Sequence, residues 1–437
     1  MTENTKPKVE NNYPVWYDGK RIDEYAFCRA FLAEHPMKYV GDNFFTVLGR
    51  VEDERKIRRA VFRKITGFVV SGMSREVSAL MDVLRLTAAG DLPVQTDRIH
   101  VKNGTLFLKD FSFSEEKEFC RNRLPVVYDP AAPAPVLWLR FLCDLLEAED
   151  IPTLQEYMGY CLIPCVKAQK MLLITGKGGE GKSRVGLVMK ALLGDNMVTG
   201  SVNKVETDRF ARADLEHRLL MVDDDLKLET LPQASTLKTI ITAEQPLDLE
   251  RKGRQSYQGT VYCRFLVLGN GTLKAAGDTS RAFFRRQIIL RTRLRDPWRE
   301  DDPYLIEKLL TEQPGIFNWC LEGLNRLVTN RFRFTESEQA KNNIQIAEAE
   351  SNNAGEFLTS DGYVTLTPEG EVSSQRLYEA YVEWCRDNAL EAMPRKAFTR
   401  CVNDVAQFLG LNYVTNINIG AGRRARGYTG IKLLTDE

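Results

Sequence analysis

The feature that most constrains this 437-residue chain is a glycine-rich octapeptide that follows a short apolar run. Residues 171–174 are Met-Leu-Leu-Ile, which predicts a buried strand, and a helical pattern continues over 184–193. Between them the chain fits the pattern G-x-x-x-x-G-K-[ST], and strand, loop and helix in this order form a phosphate-binding unit. The loop consists of Gly176, Lys177, Gly178, Gly179, Glu180, Gly181, Lys182 and Ser183.

Each part of this loop has a task if the phosphate belongs to ATP. Glycines let backbone N–H groups approach phosphate oxygens, and the N-terminus of the following helix adds partial positive charge. Lys182 is expected to reach the β- and γ-phosphates, and the Ser183 hydroxyl is expected to bind Mg²⁺. The alternative, a glycine-rich turn that happens to carry a lysine, is disfavoured by the flanking strand and helix.

Composition narrows the class of protein. The 60 basic residues balance 60 acidic ones, so any surface that binds nucleic acid must be local. Nine cysteines without framework spacing indicate a reduced, cytoplasmic protein, and three histidines argue against a structural zinc site. The polar N-terminus predicts no signal peptide, and the lack of a long apolar run predicts no membrane span.

A second apolar strand, 218–222, is followed by the acids that an ATPase needs. We expect Asp223 to join Ser183 in the Mg²⁺ shell and Asp224 to polarise the attacking water, although Asp225 can shift this register by one. The alternative is that an acid at this position caps the following helix. The combination with the phosphate loop favours the ATPase interpretation.

A third strand comes next in the chain. Residues 264–269 are followed by Asn270, whose side chain can hydrogen-bond the γ-phosphate or the lytic water. The alternative is a turn, because Asn270-Gly271 is also a turn dipeptide. We favour the role at the ATP site because the strand follows the acids in the order that such a site requires.

Arginines follow the third strand. Arg281, Arg285 and Arg286 precede the apolar residues 288–290. A planar guanidinium can stabilise the charge that develops on a γ-phosphate. An arginine too far from its own loop would act on a neighbouring subunit, which implies a ring; the alternative is an ordinary solvated arginine.

The segment 247–254 predicts a hairpin with a basic tip formed by Arg251, Lys252 and Arg254. In a ring, such a tip would point into the pore and contact a nucleic-acid backbone. The alternative is a surface turn with ordinary basic residues.

Strand order, short spacing and the basic hairpin together resemble the superfamily 3 helicases, a branch of the AAA+ ATPases. The phage and poxvirus primase-helicase type is the most similar, with a lead-in of an N-G strand, a Y-D-P segment and a helix with L-Q-E-x-x-G-Y. These motifs correspond here to 102–108, 128–130 and 154–160. The resemblance covers residues 100–300 well and the tail more loosely.

The resemblance implies a role for each matching residue. Lys182 and Ser183 bind ATP and Mg²⁺, and Asp223 with Asp224 forms the Walker B motif. Lys252, with Arg251, contacts DNA. Asn270 is sensor 1, and Arg285 or Arg286, less readily Arg281, acts in trans on the neighbouring subunit. The family also implies a hexamer that moves 3′ to 5′ along single-stranded DNA.

The chain departs from the family pattern in two places. Glu180 stands where the family loop usually has Asn; we expect this position to face away from Lys182 and Ser183, so that ATP binding survives. The 100 residues before Val101 hold no catalytic acid pattern of a primase. We therefore expect a stand-alone replication helicase of a phage or other mobile element, which acts with a separate primase or other replication proteins.

The tail predicts a winged-helix domain that binds DNA, including an origin duplex. A helix over 377–384, a second over 395–408, and strands at 413–419 and 428–433 joined by a glycine- and arginine-rich loop give this pattern. Residues 395–432 hold seven basic residues against one acid. The alternative is a lid cap or a protein-docking module. The predicted DNA contacts are Arg395, Lys396, Arg400, Arg423, Arg424 and Arg426.

The whole pattern predicts an α/β protein with an AAA+ P-loop ATPase core, an N-terminal mixed accessory region and a C-terminal winged helix. The expected segments are disordered 1–12, an accessory domain 13–135, a helical lead-in 136–168, the core 169–300, a helical lid 301–350, a connector 351–369 and the winged helix 370–437. Two rival functions stay open: an AAA+ loader or remodelling ATPase that acts on a protein, and a sequence-specific DNA-binding regulator with ATP as its assembly switch.

Overall fold

The computed structural model describes residues 13–226, 231, 233–271, 273, 281–296, 298, 300–351, 353–418 and 423–434. The segment 1–12, which the sequence predicts to be disordered, lies outside the described residues. The chain divides into two compact units, 1–128 and 129–437, so the first unit ends seven residues before the predicted boundary at 135. No described helix has both the length and the apolar character that spanning a membrane requires.

The N-terminal unit combines a helical core with small antiparallel sheets. Helices α1 and α3 pack around buried aromatic side chains that include Trp16 and Phe27. The N-G segment forms a hairpin, because the strand Arg98–Val101 pairs antiparallel with the strand Gly104–Phe107 on either side of residues 102–103. The elements are α1 (Glu24–Glu34), β1 (Lys38–Val40), β2 (Asn43–Thr46), β3 (Gly49–Arg50), α2 (Arg55–Ile65), α3 (Met73–Thr87), β4 (Arg98–Val101), β5 (Gly104–Phe107) and β6 (Phe113–Ser114).

The second unit begins with two helices, where the sequence predicts a single helical lead-in, and continues into strands that alternate with helices. Its first part contains α4 (Val136–Leu145), α5 (Ile151–Tyr160), β7 (Met171–Thr175), α6 (Lys182–Leu193), β8 (Met197–Thr199), α7 (Val202–Thr207), α8 (Arg209–Ala213), β9 (Leu220–Leu226), α9 (Ser235–Ile241), β10 (Leu247–Leu249), β11 (Tyr257–Gly259), β12 (Arg264–Gly269), α10 (Arg281–Phe284) and β13 (Gln287–Arg291).

A parallel sheet forms the centre of this unit. Within the described residues it has five strands in the order β13-β7-β12-β9-β8, and each neighbouring pair is parallel. Strands β7 and β12 are buried along their whole length, as expected where helices cover both faces of a parallel sheet. The predicted α/β class is confirmed. The carboxyl ends of β7 and β12 meet at Thr175 and Gly269, which sets the edge where the phosphate loop lies.

The helices after the sheet are α11 (Leu305–Leu310), α12 (Gln313–Thr329) and α13 (Glu338–Ser351). Helix α12 packs closely along α5, since a Cβ added to Gly159 would lie 2.3 Å from the Cys320 carbonyl oxygen. Beside this contact the buried Glu156 carboxylate accepts a hydrogen bond from the Arg326 guanidinium at 2.6 Å. The L-Q-E-x-x-G-Y segment thus holds two helices together.

The C-terminal subdomain, residues 353–434, has its own aromatic core and a three-stranded antiparallel sheet of order β14-β16-β15 among the described residues. The segment 351–369, which the sequence predicts to be a connector, contains a short helix and the first residues of a strand. The loop predicted before residue 428 is also too long, since strand pairing begins at Arg424. The elements are α14 (Asn353–Leu358), β14 (Val364–Ser373), α15 (Ser374–Asp387), α16 (Arg395–Leu409), β15 (Asn412–Asn418) and β16 (Arg424–Leu433).

Candidate functional site

The glycine-rich loop of residues 176–183, which is predicted to bind phosphate and is called the phosphate loop, connects β7 to α6. Gly178 and Gly181 have φ of 109° and 104°, a left-handed region that side chains disfavour, so the glycines at these positions are needed by the backbone. A Cβ at Gly176 would lie 2.1 Å from the Thr292 hydroxyl oxygen, so this position also excludes a side chain. Helix α6 begins at Lys182, and Ser183 in its first turn is exposed.

The Glu180 carboxylate lies inside the loop. It accepts the Lys177 N–H at 2.5 Å and the Gly178 N–H at 2.8 Å and 3.0 Å, one distance for each oxygen. The Lys182 ammonium donates to the same carboxylate at 2.8 Å, and both side chains are buried. Burial alone would raise the pKa of Glu180, but the hydrogen bonds from Lys182 and the loop N–H groups outweigh burial and hold the pKa below its ordinary 4.5.

This geometry corrects the expectation that Glu180 faces away from Lys182. Successive backbone N–H groups in such a loop create a concavity that attracts an anion. The nearest anion in the chain is the Glu180 side chain, which therefore takes the place that a phosphate oxygen would take. Asn would carry no charge there and would compete less.

Asn270 lies beside the loop, as its place after the third strand predicts. It follows the last residue of β12, and its Oδ1 accepts a hydrogen bond from the Lys182 ammonium at 3.2 Å. Lys182 is thus held by one carboxylate and one amide oxygen, both within reach of the loop. Lys182, Glu180 and Asn270 form the centre of the candidate site.

The acids lie differently from the prediction. Strand β9 does not end before them but continues to Leu226, with an irregularity in its pairing to β12 after Asp223. Asp223 is buried, and its Oδ2 accepts the Val202 N–H at 2.8 Å at the start of α7. It therefore acts at the N-terminus of α7, a helix that precedes β9 in the chain, whereas the alternative considered from the sequence concerned the helix that follows the acids.

Asp224 is exposed, and the irregularity in the pairing of β9 begins at this residue. Val222, two residues earlier, lies on the face of the sheet that α6 covers, because a Cβ at Gly186 would contact both Val222 and Leu268. The side chain of Asp225 lies outside the described residues. The predicted roles of the three acids, with Mg²⁺ on Asp223 or with the register shifted by one, therefore stay a prediction.

The predicted basic hairpin is formed by β10 and β11. Arg251 braces its base, since its guanidinium donates to the Tyr257 hydroxyl at 3.0 Å and to the Glu216 carboxylate at 3.3 Å. The Lys252 ammonium lies 5.9 Å from the centre of the Phe210 ring. Lys252 and Arg254 are exposed at the tip, whereas Arg251 has a supporting position.

The arginines before β13 have different surroundings. Arg285 is exposed, whereas the Arg286 guanidinium donates to the Ala282 carbonyl oxygen. The Arg281 side chain lies outside the described residues. Sequence reasoning missed Arg295, whose guanidinium donates to the Gly179 carbonyl oxygen of the phosphate loop at 3.3 Å and pairs with Asp301 at 3.0 Å. Its position just after β13, the strand next to β7, is the signal that could have found it.

The predicted DNA contacts of the C-terminal subdomain are spread over α16 and β16. Arg395, Lys396 and Arg400 are exposed on the first turns of α16. Arg423 precedes β16, and Arg424 and Arg426 lie on the strand, not in a loop. Arg395 and Arg426 line a common cavity with Arg376, a residue that sequence reasoning did not single out.

Two family models match parts of the chain. Residues 10–147 match the family described as D5 N terminal like, and residues 174–286, which include the phosphate loop, match a family of unknown function (DUF5906). The first match agrees with part of the resemblance to phage and poxvirus primase-helicases. The two models divide the chain at the lead-in helices.

Solved structures of the C-terminal region of NrS-1 are similar in fold. The A form apo structure of residues 305–718 of that protein is 13% identical, with a TM-score of 0.51, over 93% of this chain and 99% of that chain. Two further apo structures of the region, also 13% identical, give TM-scores of 0.49 and 0.48. They cover 92% and 93% of this chain and 98% and 99% of theirs. At this identity the likeness concerns the fold alone.

Proposed function

We propose that the chain is an ATP-driven superfamily 3 DNA helicase that replicates a phage or other mobile element, with an AAA+ motor that works as a hexameric ring. The observation that carries the proposal is the phosphate loop at the carboxyl edge of a parallel sheet, where Lys182 donates both to Asn270 and to an anion. That anion is the chain's own Glu180 carboxylate. The D5 N terminal match supports the replication context.

The residues present fit ATP and Mg²⁺. The Lys177 and Gly178 N–H groups and the Lys182 ammonium already bind a carboxylate, whose oxygens resemble those of phosphate in charge and hydrogen bonding. Bound ATP and Mg²⁺ supply the transferable phosphoryl group and neutralise its charge. In this proposal Glu180 would give up its place to phosphate, Ser183 and Asp224 would hold the metal, and Asn270 or Asp225 would orient the lytic water.

Arginines complete the motor in this proposal. Arg295 lies against its own loop and is placed to act in cis. Arg285 is exposed and is assigned the role in trans, with Arg286 held by its own helix. ATP then binds between subunits, so that hydrolysis is coupled to the movement of neighbouring subunits.

Two regions are assigned to DNA. The exposed Lys252 and Arg254 at the hairpin tip follow one strand through the ring. The C-terminal subdomain, with helix, strand, two helices and a strand pair in that order, supports the assignment of a winged helix. It is expected to contact the origin duplex or the fork, and a separate primase would act beside the ring.

The test is unwinding of a forked duplex with ATP and Mg²⁺, measured beside DNA-stimulated ATPase. Lys182→Ala should lose both activities, whereas Lys252→Ala should keep ATPase and lose unwinding. ATP hydrolysis that DNA does not stimulate, without strand separation, would instead favour a loader or remodelling ATPase. A chain that binds a specific site without hydrolysis and tolerates Asp224→Asn would favour the ATP-switched regulator.

A further inference from the structure

A cavity of about 610 Å³ lies in the C-terminal subdomain where α15, α16 and the β15–β16 pair meet. The antiparallel pairing of Ser373 with Gly427 brings Arg426 beside the first turn of α15. The volume falls in the range of roughly 300–1,000 Å³ that small-ligand sites occupy. The cavity belongs to a part of the chain remote in sequence from the phosphate loop.

The lining of the cavity is strongly basic. Arg376, Arg395 and Arg426 contribute from three different elements, and no acid is among the described residues that line it. Helices α15 and α16, of 14 and 15 residues, both begin at the cavity without an acid in the first turn. Because helix N-termini favour anions, the first turns of α15 and α16 and the arginines in them make this cavity electrostatically favourable for an anion.

A buried hydroxyl also lacks a partner at this place. The Ser374 hydroxyl oxygen is inaccessible to water and has no hydrogen-bond partner among the described residues, and Ser374 lines the cavity. Such groups are normally hydrogen-bonded because an unmade bond is costly. If the Ser374 side chain turns toward the cavity, an anion bound by the three arginines would accept a hydrogen bond from its hydroxyl.

An aromatic ring completes the lining. Tyr413 is 47% exposed, and its ring packs at a centroid distance of 5.4 Å against Tyr428. Tyr428 is buried, and its hydroxyl donates to the Asn403 side chain at 2.8 Å, so Tyr413 has a fixed support. Exposed aromatic side chains beside a basic groove are the usual stacking platforms for unpaired bases.

We propose that this cavity binds one nucleotide unit of an unpaired DNA strand, with the phosphate between Arg376, Arg395 and Arg426 and the base on Tyr413. An unpaired strand fits better than a duplex because a paired base is already stacked and cannot lie against the ring. The choice of DNA rests on the proposed function, whereas the nucleotide chemistry rests on the cavity itself. In this proposal the C-terminal subdomain binds a displaced single strand, and its role is not limited to binding duplex DNA.

The experiment measures binding of fluorescein-labelled dT12 to the full chain without ATP, in a Lys252→Ala background that weakens the hairpin contact. Arg395→Gln combined with Arg426→Gln should weaken binding roughly tenfold or more and make its salt dependence shallower. Tyr413→Ala should weaken it roughly tenfold, and Tyr413→Phe should restore it. The matched control is Arg386→Gln, at the far end of α15, which should leave binding unchanged.

The same variants are then compared on the dT12·dA12 duplex. A larger loss for the single strand than for the duplex supports the proposal. An unchanged affinity for dT12 overturns it, and an equal loss on both substrates assigns the arginines to a duplex surface and also overturns it. Ser374→Ala, which removes only a hydroxyl, gives a smaller loss of dT12 binding and guards against misfolding of the double variant.

The two proposals fail separately. If ATPase and unwinding are normal but the cavity variants bind dT12 as the parent does, the cavity inference fails alone. If the wild type neither hydrolyses ATP nor unwinds DNA, the helicase proposal fails, and dT12 binding still tests the cavity because it is measured without ATP.

Discussion

The phosphate loop and the C-terminal cavity are both proposed to bind anions, but the basic side chains of the two sites have different surroundings. In the loop, Lys182 is buried and already paired with the Glu180 carboxylate. In the cavity, three arginines are among the lining residues, and none of the described lining residues is an acid. Buried charge requires a partner, whereas exposed charge is stabilised by water.

This difference predicts what determines the affinity of each site for its proposed ligand. In the proposed function the loop must exchange an internal carboxylate for phosphate, so its affinity for phosphate depends on the difference between two anions. The described lining of the cavity includes no carboxylate to displace, so the affinity of the cavity for its proposed ligand should follow ionic strength closely. Substitutions that move an acid into or out of each site therefore test the comparison directly.

The largest expected effect is that of Lys182→Ala on ATP hydrolysis. Loss of the ammonium leaves phosphate charge unbalanced in the loop, and we expect the ATPase rate to fall roughly 1,000-fold. Binding of dT12 without ATP should stay near the wild-type value, because the cavity does not depend on the loop. Lys190→Ala on the same helix is the control, since the Lys190 ammonium only donates to the Gly194 carbonyl oxygen and neighbouring backbone.

The two neighbouring acids give the next largest effect. Asp224→Asn should lower the ATPase rate roughly 100-fold without loss of stability, because this carboxylate is exposed and is proposed to hold the metal. Asp223→Asn should instead lower the free energy of unfolding by about 1 kcal/mol, through a weaker hydrogen bond to the Val202 N–H. Steady-state ATPase and thermal melting measure the pair. A hydrolysis defect confined to Asp223→Asn would restore the original Mg²⁺ assignment.

These acids show where sequence reasoning ends. The order of apolar strands predicted the α/β core and the neighbourhood of Lys182 and Asn270, because parallel strands bring their carboxyl ends together. Which acid faces α6 depends on where β9 ends and on an irregularity in its pairing, and neither is visible in a run of three Asp. Hydrophobic pattern specifies the strand but not its last residues.

Sequence analysis gave Glu180 the wrong orientation and missed Arg295 for a related reason. Their contacts depend on the path of a loop with three left-handed glycines, which periodicity does not describe. Sequence analysis predicted only part of the cavity. Arg395 and Arg426 were each expected to bind DNA, but the strand register that brings them close to Arg376 could not be predicted.

Glu180→Gln removes the internal anion from the loop. We expect ATP to bind about tenfold more tightly, since phosphate no longer displaces a carboxylate that several charge-assisted hydrogen bonds hold. Titration of a fluorescent ATP analogue measures the change. Glu348→Gln, far along the chain on α13, is a neutralising control. Unchanged affinity would mean that the carboxylate leaves the loop without competing.

The same carboxylate gives a pH dependence. Its pKa is lowered on folding, so its ion pair with Lys182 stabilises the protein above the ordinary value of 4.5, and this contribution is lost as pH falls through the lowered value. Thermal melting below pH 4.5 should therefore show a shallower loss of stability for Glu180→Gln than for the wild type. Parallel curves would show that the ion pair contributes little.

The smallest effect comes from the reverse exchange in the cavity. Gln375→Glu places a carboxylate in the first turn of α15, where the helix N-terminus stabilises an acid, so folding should not suffer. Glu379, the present partner of the Gln375 amide, offsets part of that gain. Binding of dT12 should weaken about fivefold through repulsion of phosphate at the surface. Gln339→Glu on α13 is the matched control. Weaker dT12 binding with unchanged ATP affinity would show that a carboxylate placed in the cavity competes with phosphate, as Glu180 is proposed to do in the loop. Unchanged dT12 binding would show that the three arginines do not act on a shared phosphate.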